Sequence, residues 1–265
     1  MKKLVLYGGF AVGLVLAPGA AGAADMAAHK AVYDLSMGRA EATSRYAGVT
    51  GIVTRSVERT CDGWIVAEQM ALRVQTKVGG ELDRDVRFTG FESFDGKSYQ
   101  FAGRTVSKAG GEDTGFKGSM KRERAGGPGE AVYTLPLGRT VTLPDNTFLP
   151  VAHLGRLLDE AAAGKKDIQF NVFDGSEQEG PQLMSSILVG HLPAAENAQG
   201  LAAAEAWRFN SALFPVGGRQ ETPDVQFDME LMVNGVPRRL VLDLGGFTVV
   251  QTLKEVEPLP PPKCP

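Results

Sequence analysis

The chain has 265 residues, of which 28 are Lys or Arg and 31 are Asp or Glu, so its formal net charge is −3 at pH 7. This weak negative charge argues against a nucleic-acid partner. A chain of this length can bury a large core, and all-β proteins of this size often form one domain, so we expect a single domain.

Residues 1–24 have the pattern of a secretory signal peptide. Two lysines precede an apolar stretch, Leu4–Leu16, and small residues follow it. This stretch is shorter than the roughly 20 residues that cross a bilayer, so cleavage after Ala23 or Ala24 is favoured over a retained membrane anchor. Without its leader, the chain 25–265 is expected to be soluble and to keep 26 of its 28 basic residues.

Beyond the leader, apolar and polar residues alternate with a period of two, which predicts antiparallel β-strands. Asp95-Gly96 and Asp174-Gly175 are typical of turns in which the Asp side chain satisfies backbone amides. Trp64 and Trp207 fall in strands and are expected in the core or along a cavity. The strands are predicted at 30–37, 48–60, 63–77, 83–94, 97–106, 114–122, 130–135, 168–173, 181–190, 206–214 and 247–253.

One convincing helix is predicted over 148–163, where apolar residues follow helical spacing and Pro150 lies in the first turn. Asn146 or Thr147 is expected to cap its start and Gly164 to end it. A single helix among many strands suits a curved sheet that forms a half-open barrel. The Ala-rich stretch 193–206 is interpreted as a loop or a short second helix.

The clearest hairpin lies near the end of the chain. Alternate residues of 225–233 and of 240–244 are apolar, and Asn234-Gly235 between them predicts a type I′ turn with two left-handed residues. The proline-rich end of the chain, 258–265, cannot form a ladder and is expected to lie extended over the surface.

Cys61 and Cys264 are the two cysteines of the chain. Export implies an oxidising compartment, where a disulfide is favoured over two free thiols. The resulting loop of about 200 residues would stabilise the fold by about 5 kcal/mol in the loop-entropy treatment. A CxxC redox motif is absent, which argues against a catalytic thiol pair.

Motifs that carry chemistry are mostly missing. The chain has no GxSxG elbow, phosphate loop, dinucleotide fingerprint or HExxH motif, and no metal or cofactor site is predicted. His29, His153 and His191 are widely spaced and are interpreted as structural or solvated residues.

Four carboxylates, Asp83, Asp85, Glu92 and Asp243, are candidates for an acid–base pair, although spacing alone cannot bring them together. A separate basic run could meet lipid phosphates or an acidic partner, but the solvated tip of a hairpin that turns at 125–129 is the favoured interpretation. The run consists of Lys117, Lys121, Arg122 and Arg124.

Several segments together resemble the EipB family, periplasmic cell-envelope integrity proteins of alphaproteobacteria and long a domain of unknown function. The resemblance covers nearly the whole mature chain. It is carried by HKAVYDLSM at 29–37, CDGW at 61–64, DVRFTGFESFDGKSYQF at 85–101, TLPDNTFLPVAHL at 142–154, VFDGSE at 172–177 and VNGVPRRLVLDLGGFTVVQTL at 233–253. Where the family often has Phe-Pro, this chain has Phe148-Leu149-Pro150, which affects only the helix start.

The resemblance implies a mainly β fold, a many-stranded antiparallel β-spiral with one principal helix, similar to the LolA and LolB lipoprotein carriers. It also implies a disulfide between the positions of Cys61 and Cys264, a periplasmic location and no established enzymatic activity. We expect the curved sheet to bind a hydrophobic ligand, such as a lipid, or an envelope protein or lipoprotein. The alternatives are a hydrolase or transferase that uses the carboxylates, and a purely structural docking protein.

Overall fold

The computed structural model describes residues 25–107, 111–176, 180–218 and 222–265. The predicted signal peptide, 1–24, lies outside the described residues, so its cleavage stays a prediction. In the described part of the chain, strands predominate and one α-helix and one short 3₁₀ helix accompany them.

The strands are β1 His29–Ala40, β2 Tyr46–Arg59, β3 Gly63–Thr76, β4 Glu81–Ser93, β5 Ser98–Ser107, β6 Glu112–Arg122, β7 Gly129–Leu135, β8 Leu137–Leu143, β9 Thr147–Phe148, β10 Asp167–Val172, β11 Gln182–Leu192, β12 Ala206–Pro215, β13 Val225–Met232, β14 Pro237–Asp243 and β15 Phe247–Pro258. The helix α1 spans Pro150–Ala162, and the 3₁₀ helix spans Gly200–Ala203, within the stretch expected to hold a loop or short helix. The predicted mainly β, barrel-like fold with one principal helix is confirmed.

All fifteen described strands belong to one sheet, in which consecutive strands are neighbours in space, except for β8 and β9. The ends of the chain meet in the middle of the sheet, because β1 pairs with both β2 and β15. The two edges of the sheet are therefore β8 and β9, which follow each other in the chain. Pairing is antiparallel throughout, except that β9 runs parallel to β10. The sheet curls into a nearly closed barrel.

Strand periodicity determines which residues face inward. On β1, alternate residues from His29 to Leu35 are buried and the residues between them are exposed or partly exposed. The partner strands continue this inner face, since Tyr33 lies opposite Val53 of β2 and Leu253 of β15. Burial of the apolar side chains on this face specifies the register of the strands.

The helix α1 lies inside the curl, with its buried face against the inner face of β10–β13. Leu157, Leu158 and Ala161 pack there against Phe170 and Phe209. A second cluster, around Tyr99, Phe101 and Tyr133, fills the inner face of β5–β8. These two clusters lie on different halves of the sheet, and a third, around Tyr33 and Val53, lies on the strands that join the halves.

The start of α1 differs from the prediction. Its N-cap residue is Leu149, which has no capping side chain, so neither Asn146 nor Thr147 caps the helix. The side chain of Glu92 on β4 accepts hydrogen bonds from the first-turn N–H groups instead. The predicted end is confirmed: Gly164 has φ +78 and its N–H donates to the carbonyl of Ala161.

The Asn234-Gly235 hairpin forms at the predicted place but is not a type I′ turn. Only Gly235 of the pair has positive φ, at 83°, and the N–H of Met232 donates to the carbonyl of Val236 across a three-residue loop. The Asn234 side chain bonds both inside and outside the loop, since its Oδ1 accepts from the N–H of Val236 and its Nδ2 donates to the carbonyl of Leu201. A right-handed turn followed by one left-handed glycine is the common three-residue alternative.

Strands β8 and β9 were not predicted. β9 has two residues, too few for a periodic pattern, and most residues of β8 are exposed because β8 is an edge strand.

Cys61 and Cys264 form the predicted disulfide, with a Cα–Cα distance of 5.6 Å and a sequence separation of 203 residues. It joins the turn between β2 and β3 to the extended tail.

Candidate ligand-binding cavity

A cavity of about 630 Å³ lies between the first turns of α1 and the inner faces of the surrounding strands. Strand alternation places apolar side chains on its wall, and the helix covers one side because its own apolar face packs on β10–β13. Most of the wall is apolar. Its apolar side chains include Val86, Phe88, Phe116, Leu154, Phe227 and Met229.

An ion pair interrupts this apolar wall. Arg55 of β2 lies directly opposite Glu68 of β3, and its Nε and Nη2 donate to Glu68 Oε2 at 2.7 and 2.5 Å. Both side chains line the cavity, and 24% of the Arg55 side chain and 29% of the Glu68 side chain are exposed. Charges this far from bulk solvent persist only when they are paired, so each depends on the other.

Three further polar side chains lie on the same inner face. Arg55 is paired with Ala31 of β1, so His29 and Tyr33, two positions to either side, are its diagonal neighbours. Gln251 of the adjacent strand β15 is opposite Leu35 and lines the cavity as His29 does. The name polar strip is used below for His29, Tyr33, Arg55, Glu68 and Gln251.

Three atoms of the polar strip are buried without a hydrogen-bond partner among the described residues. They are His29 Nε2, Tyr33 Oη and Gln251 Nε2. The three side chains are exposed by only 1%, 0% and 9%. A buried polar atom that lacks a partner costs about 1–3 kcal/mol, so a native fold that keeps three of them on one inner face calls for an explanation.

Burial sets the protonation of these groups. It lowers the pKa of His29, whose ring is therefore neutral at pH 7, and raises the pKa of Tyr33 to about 12. His29 Nδ1 lies 2.8 Å from the carbonyl oxygen of Ala27, so Nδ1 carries the proton and Nε2 is an acceptor. Apart from the Arg55–Glu68 pair, the polar strip is uncharged.

The helix adds His153, which faces the polar strip from the opposite side of the cavity. Burial lowers the pKa of His153 to about 4, and the positive charge of Arg55 acts in the same direction. His153 also lines a smaller cavity of about 160 Å³, which shares Pro150, Asp174 and Phe227 with the main one. His29 and His153, distant in sequence, are thus brought to one cavity.

The third histidine, His191, lies elsewhere. Its ring is 4.4 Å from that of Trp207, and its Nε2 is 3.2 Å from a carboxylate oxygen of Glu205. Within the described ranges no three His, Cys, Asp or Glu side chains are grouped as metal ligands would be.

The four candidate carboxylates do not converge. Asp83 lies on the outer face of β4, where Arg73 donates to it at 2.7 and 2.9 Å, and Asp85 shares that face because it is two residues away. Glu92 points to the inner face, and Asp243 lies on the outer face of β14, 3.4 Å from Arg39. Alternation along β4 separates the candidates, so the proposed acid–base pair does not form.

The basic run is a solvated hairpin tip only in part. Lys117, Lys121 and Arg124 are exposed, and Arg124 pairs with Asp145 at 2.6 Å. Arg122 is buried, however, and donates to the carbonyl oxygens of Gly96 and Thr147 at 2.5 and 2.6 Å. It falls on the inner face of β6, so its guanidinium holds two loops rather than meeting a partner. Asp95 and Asp174 act in their turns as predicted.

Sequence reasoning did not find the polar strip, although a signal for part of it was present. Arg55 lies between Val53 and Val57, and Glu68 between Val66 and Met70, so each charge occupies an apolar position of its alternating pattern. A charged residue on the inward side of two consecutive strands indicates an internal ion pair. No comparable signal marks His29, Tyr33 or Gln251, whose polarity is ordinary for strand residues.

Comparisons with known proteins give this chain a family and relatives. The sequence profile of a family described as EipB-like matches residues 20–260. The cell envelope integrity protein EipB of Brucella abortus (strain 2308) is 28% identical over 247 residues, which are 89% of this chain and 86% of that protein.

A crystal structure of a Brucella abortus protein has the same fold as this chain. It is described as a β-barrel-like protein of domain of unknown function DUF1849 from Brucella abortus, and it superposes with a TM-score of 0.81 at 24% identity over 90% of this chain and all of that one. Within the described ranges, no helix combines the length and apolar character needed to cross a bilayer.

Proposed function

Because the chain belongs to the EipB-like family, we propose that it supports the integrity of the cell envelope from the periplasm by holding a hydrophobic ligand, or an apolar segment of an envelope protein, in its cavity. On this proposal residues 1–24 are removed on export and 25–265 act as one domain. The role is one of binding rather than catalysis. A related protein that carries the name cell envelope integrity protein supports the cellular role.

The observation that carries the binding role is the apolar cavity of about 630 Å³. Its volume lies within the range of roughly 300–1,000 Å³ typical of small-molecule sites. Apolar walls with a few polar groups at fixed positions are the usual composition of such sites. A barrel filled by its own side chains would have no such space. Here the side chains of the helix and the sheet leave the cavity between them unfilled.

The test is a variant that fills the cavity. Leu154→Trp places an indole in it, whereas Ala162→Trp adds the same side chain at an exposed position of the same helix. Purified wild-type protein and the Ala162→Trp control are expected to bind a fluorescent single-chain fatty acid, and Leu154→Trp to lose most of that binding while it still melts cooperatively. Equal binding by both variants would contradict the proposal.

The same two variants test the cellular role. In a strain that lacks this protein, the wild-type gene and Ala162→Trp are expected to restore growth on a detergent that stresses the envelope, and Leu154→Trp is not. Full rescue by Leu154→Trp at normal protein levels would show that the cellular role does not depend on the cavity.

A further inference from the structure

We infer that the β3–β4 and β7–β8 turns dock this protein on the surface of an anionic phospholipid bilayer, with the side chains of Val78 and Leu137 in its interfacial layer. The inference goes beyond the proposed function, because docking requires no ligand in the cavity. It is carried by aliphatic side chains that are almost fully exposed at two turns, with basic residues beside both.

Val78 and Leu137 are the most exposed large apolar side chains in the part of the chain that the structure describes. Their exposed fractions are 95% and 89%, whereas every other such side chain there is exposed by 55% or less. Val78 lies in the turn between β3 and β4. Leu137 begins β8 directly after the turn from β7, and Leu135, which ends β7, is exposed as well. Polar residues, glycine and proline are usual in turns, so aliphatic tips at two of them indicate a contact surface.

Both tips lie at the same end of the sheet. Strands β3 to β8 form a continuous antiparallel meander, in which every second turn lies at one end. The name docking end is used below for the end with the β3–β4 and β7–β8 turns. The two tips are about 19 Å apart along the sheet, since four strand spacings of about 4.8 Å separate them. Separate tips suit a flat, continuous surface such as a bilayer, whereas a protein partner usually covers one contiguous patch.

The charges beside the tips favour an anionic surface. Lys77 precedes the first tip, Arg139 follows the second by two residues, and Lys117 of β6 lies opposite the last residue of β7. All three are exposed. Two acidic residues at the docking end, Glu81 and Asp113, are paired with arginines. Apolar side chains that enter the acyl boundary, beside cations that meet lipid phosphates, are typical of peripheral binding to anionic membranes.

The cavity approaches the docking end between the two tips. Thr105 of β5 and Thr114 of β6 are paired with each other, and both line the cavity. Each lies two residues from the end of its strand at the β5–β6 turn, which is the turn between the two docking turns. Docking therefore brings this part of the cavity wall close to the lipid.

The first test is co-sedimentation of residues 25–265 with vesicles. Vesicles of phosphatidylethanolamine and phosphatidylglycerol supply an anionic surface, and vesicles of phosphatidylcholine supply a neutral one. Wild-type protein is expected to bind the anionic vesicles several-fold more tightly than the neutral ones. Leu137→Ser is expected to weaken this binding roughly tenfold, and addition of Val78→Ser to weaken it by a further factor of about ten.

Ile187→Ser is the matched control. It also removes an exposed aliphatic side chain, but from the middle of β11 and not from a turn. This variant should bind vesicles as wild-type protein does. Melting curves establish that all the variants fold.

The second test determines which end of the sheet meets the bilayer. The tryptophan emission of Leu137→Trp should shift to the blue on addition of anionic vesicles and be quenched by lipids with brominated acyl chains. The two native tryptophans, Trp64 and Trp207, lie near the opposite end, each as the second residue of its strand, so wild-type emission should change little. Val233→Trp, in the β13–β14 turn at that opposite end, is the control and should show neither effect.

Three outcomes would overturn the inference. In the first, wild-type protein sediments with neither kind of vesicle. In the second, it binds vesicles but the variants at Val78 and Leu137 bind equally well, or Val233→Trp is quenched instead of Leu137→Trp, so that another surface makes the contact. In the third, vesicles do not bind and Leu137→Ser instead abolishes self-association in size-exclusion chromatography, so that the tips contact a second copy of the chain.

The fatty-acid assay separates this inference from the proposed function. Leu137→Ser lies outside the cavity wall and should bind the fluorescent fatty acid as wild-type protein does. Leu154→Trp should lose the fatty acid and keep vesicle binding. Loss of vesicle binding by a folded Leu154→Trp variant would show that docking depends on the cavity, which would contradict the inference.

Discussion

Glu92 Oε2 accepts a hydrogen bond of 2.7 Å from the backbone N–H of Val151, 59 residues later, so a strand in the first half of the chain caps the helix. Glu92 Oε1 accepts a second bond, of 3.0 Å, from the N–H of Ala152. A carboxyl group at a helix N-terminus satisfies N–H groups that have no partner within the helix. This contact connects the inner face of β4 to the helix that covers the cavity.

Removal of this cap should destabilise the fold. Glu92→Leu is expected to lower the free energy of unfolding by about 2 kcal/mol near pH 6, since it leaves two helix N–H groups without their partner. Urea denaturation measures the change. Glu58→Leu, at an exposed position of β2, is the matched control and should stay within about 0.5 kcal/mol of wild type. An equal effect of the two variants would show that Glu92 does not act as a cap.

The same residue should make stability depend on pH. Burial raises the pKa of Glu92 from 4.5 to about 7, although the two N–H groups and Arg122 oppose the shift. The folded state therefore favours the protonated acid, so its contribution is complete below pH 4.5 and is lost as the pH rises through 7. The difference in unfolding free energy between wild type and Glu92→Gln should fall by up to about 3 kcal/mol over this interval. A difference independent of pH would contradict the raised pKa.

His153 should contribute in the opposite direction. Burial lowers its pKa from 6.5 to about 4, so the folded state favours the neutral ring. Its contribution is complete above pH 6.5 and is lost as the pH falls through 4. On acidification, the free energy of unfolding of His153→Gln should therefore rise relative to that of wild type by up to about 3 kcal/mol. Urea denaturation at a series of pH values measures this difference. His191→Gln, at a partly exposed position that does not line the cavity, is the control.

Loss of one partner of the Arg55–Glu68 pair should destabilise the fold more than replacement of both by apolar residues. Arg55→Met leaves the Glu68 carboxylate without its partner and is expected to destabilise the fold by about 2 kcal/mol, less than for a fully buried pair because a quarter of each side chain is exposed. The double variant Arg55→Met/Glu68→Leu should recover most of that loss, since both charges are gone. A double-mutant cycle by urea denaturation tests this, and additive losses would contradict it.

The disulfide should stabilise the chain under oxidising conditions alone. Cys61→Ser is expected to lower the melting temperature, because the bond between Cys61 and Cys264 closes a span of 203 residues and restrains the unfolded state by about 5 kcal/mol in the loop-entropy treatment. Addition of a reductant should bring the native protein to the melting temperature of the variant. Equal melting temperatures before reduction would argue that the bond does not contribute.

Much of the fold could be predicted from local sequence because strands, hairpins and helix ends depend on nearby residues. The alternation in β13, the glycine at 235 and the helix end at Gly164 were all visible in the sequence. The type of turn at Asn234-Gly235 was not, since the same pair of residues fits both the two-residue and the three-residue loop. Edge strands such as β8 were missed for a related reason, since exposure removes the alternating pattern.

The sequence by itself determined the strand content, the single helix, the cysteine couple and the resemblance to a family, because these follow from short periodic patterns and from residue identities. Only the tertiary structure decided that β1 pairs with β15, that Glu92 caps the helix and that His29, Arg55, Gln251 and His153 line one cavity. These residues are far apart in the chain. They meet because the sheet curls until its inner face surrounds the helix, a consequence of long-range pairing and burial that no local pattern encodes.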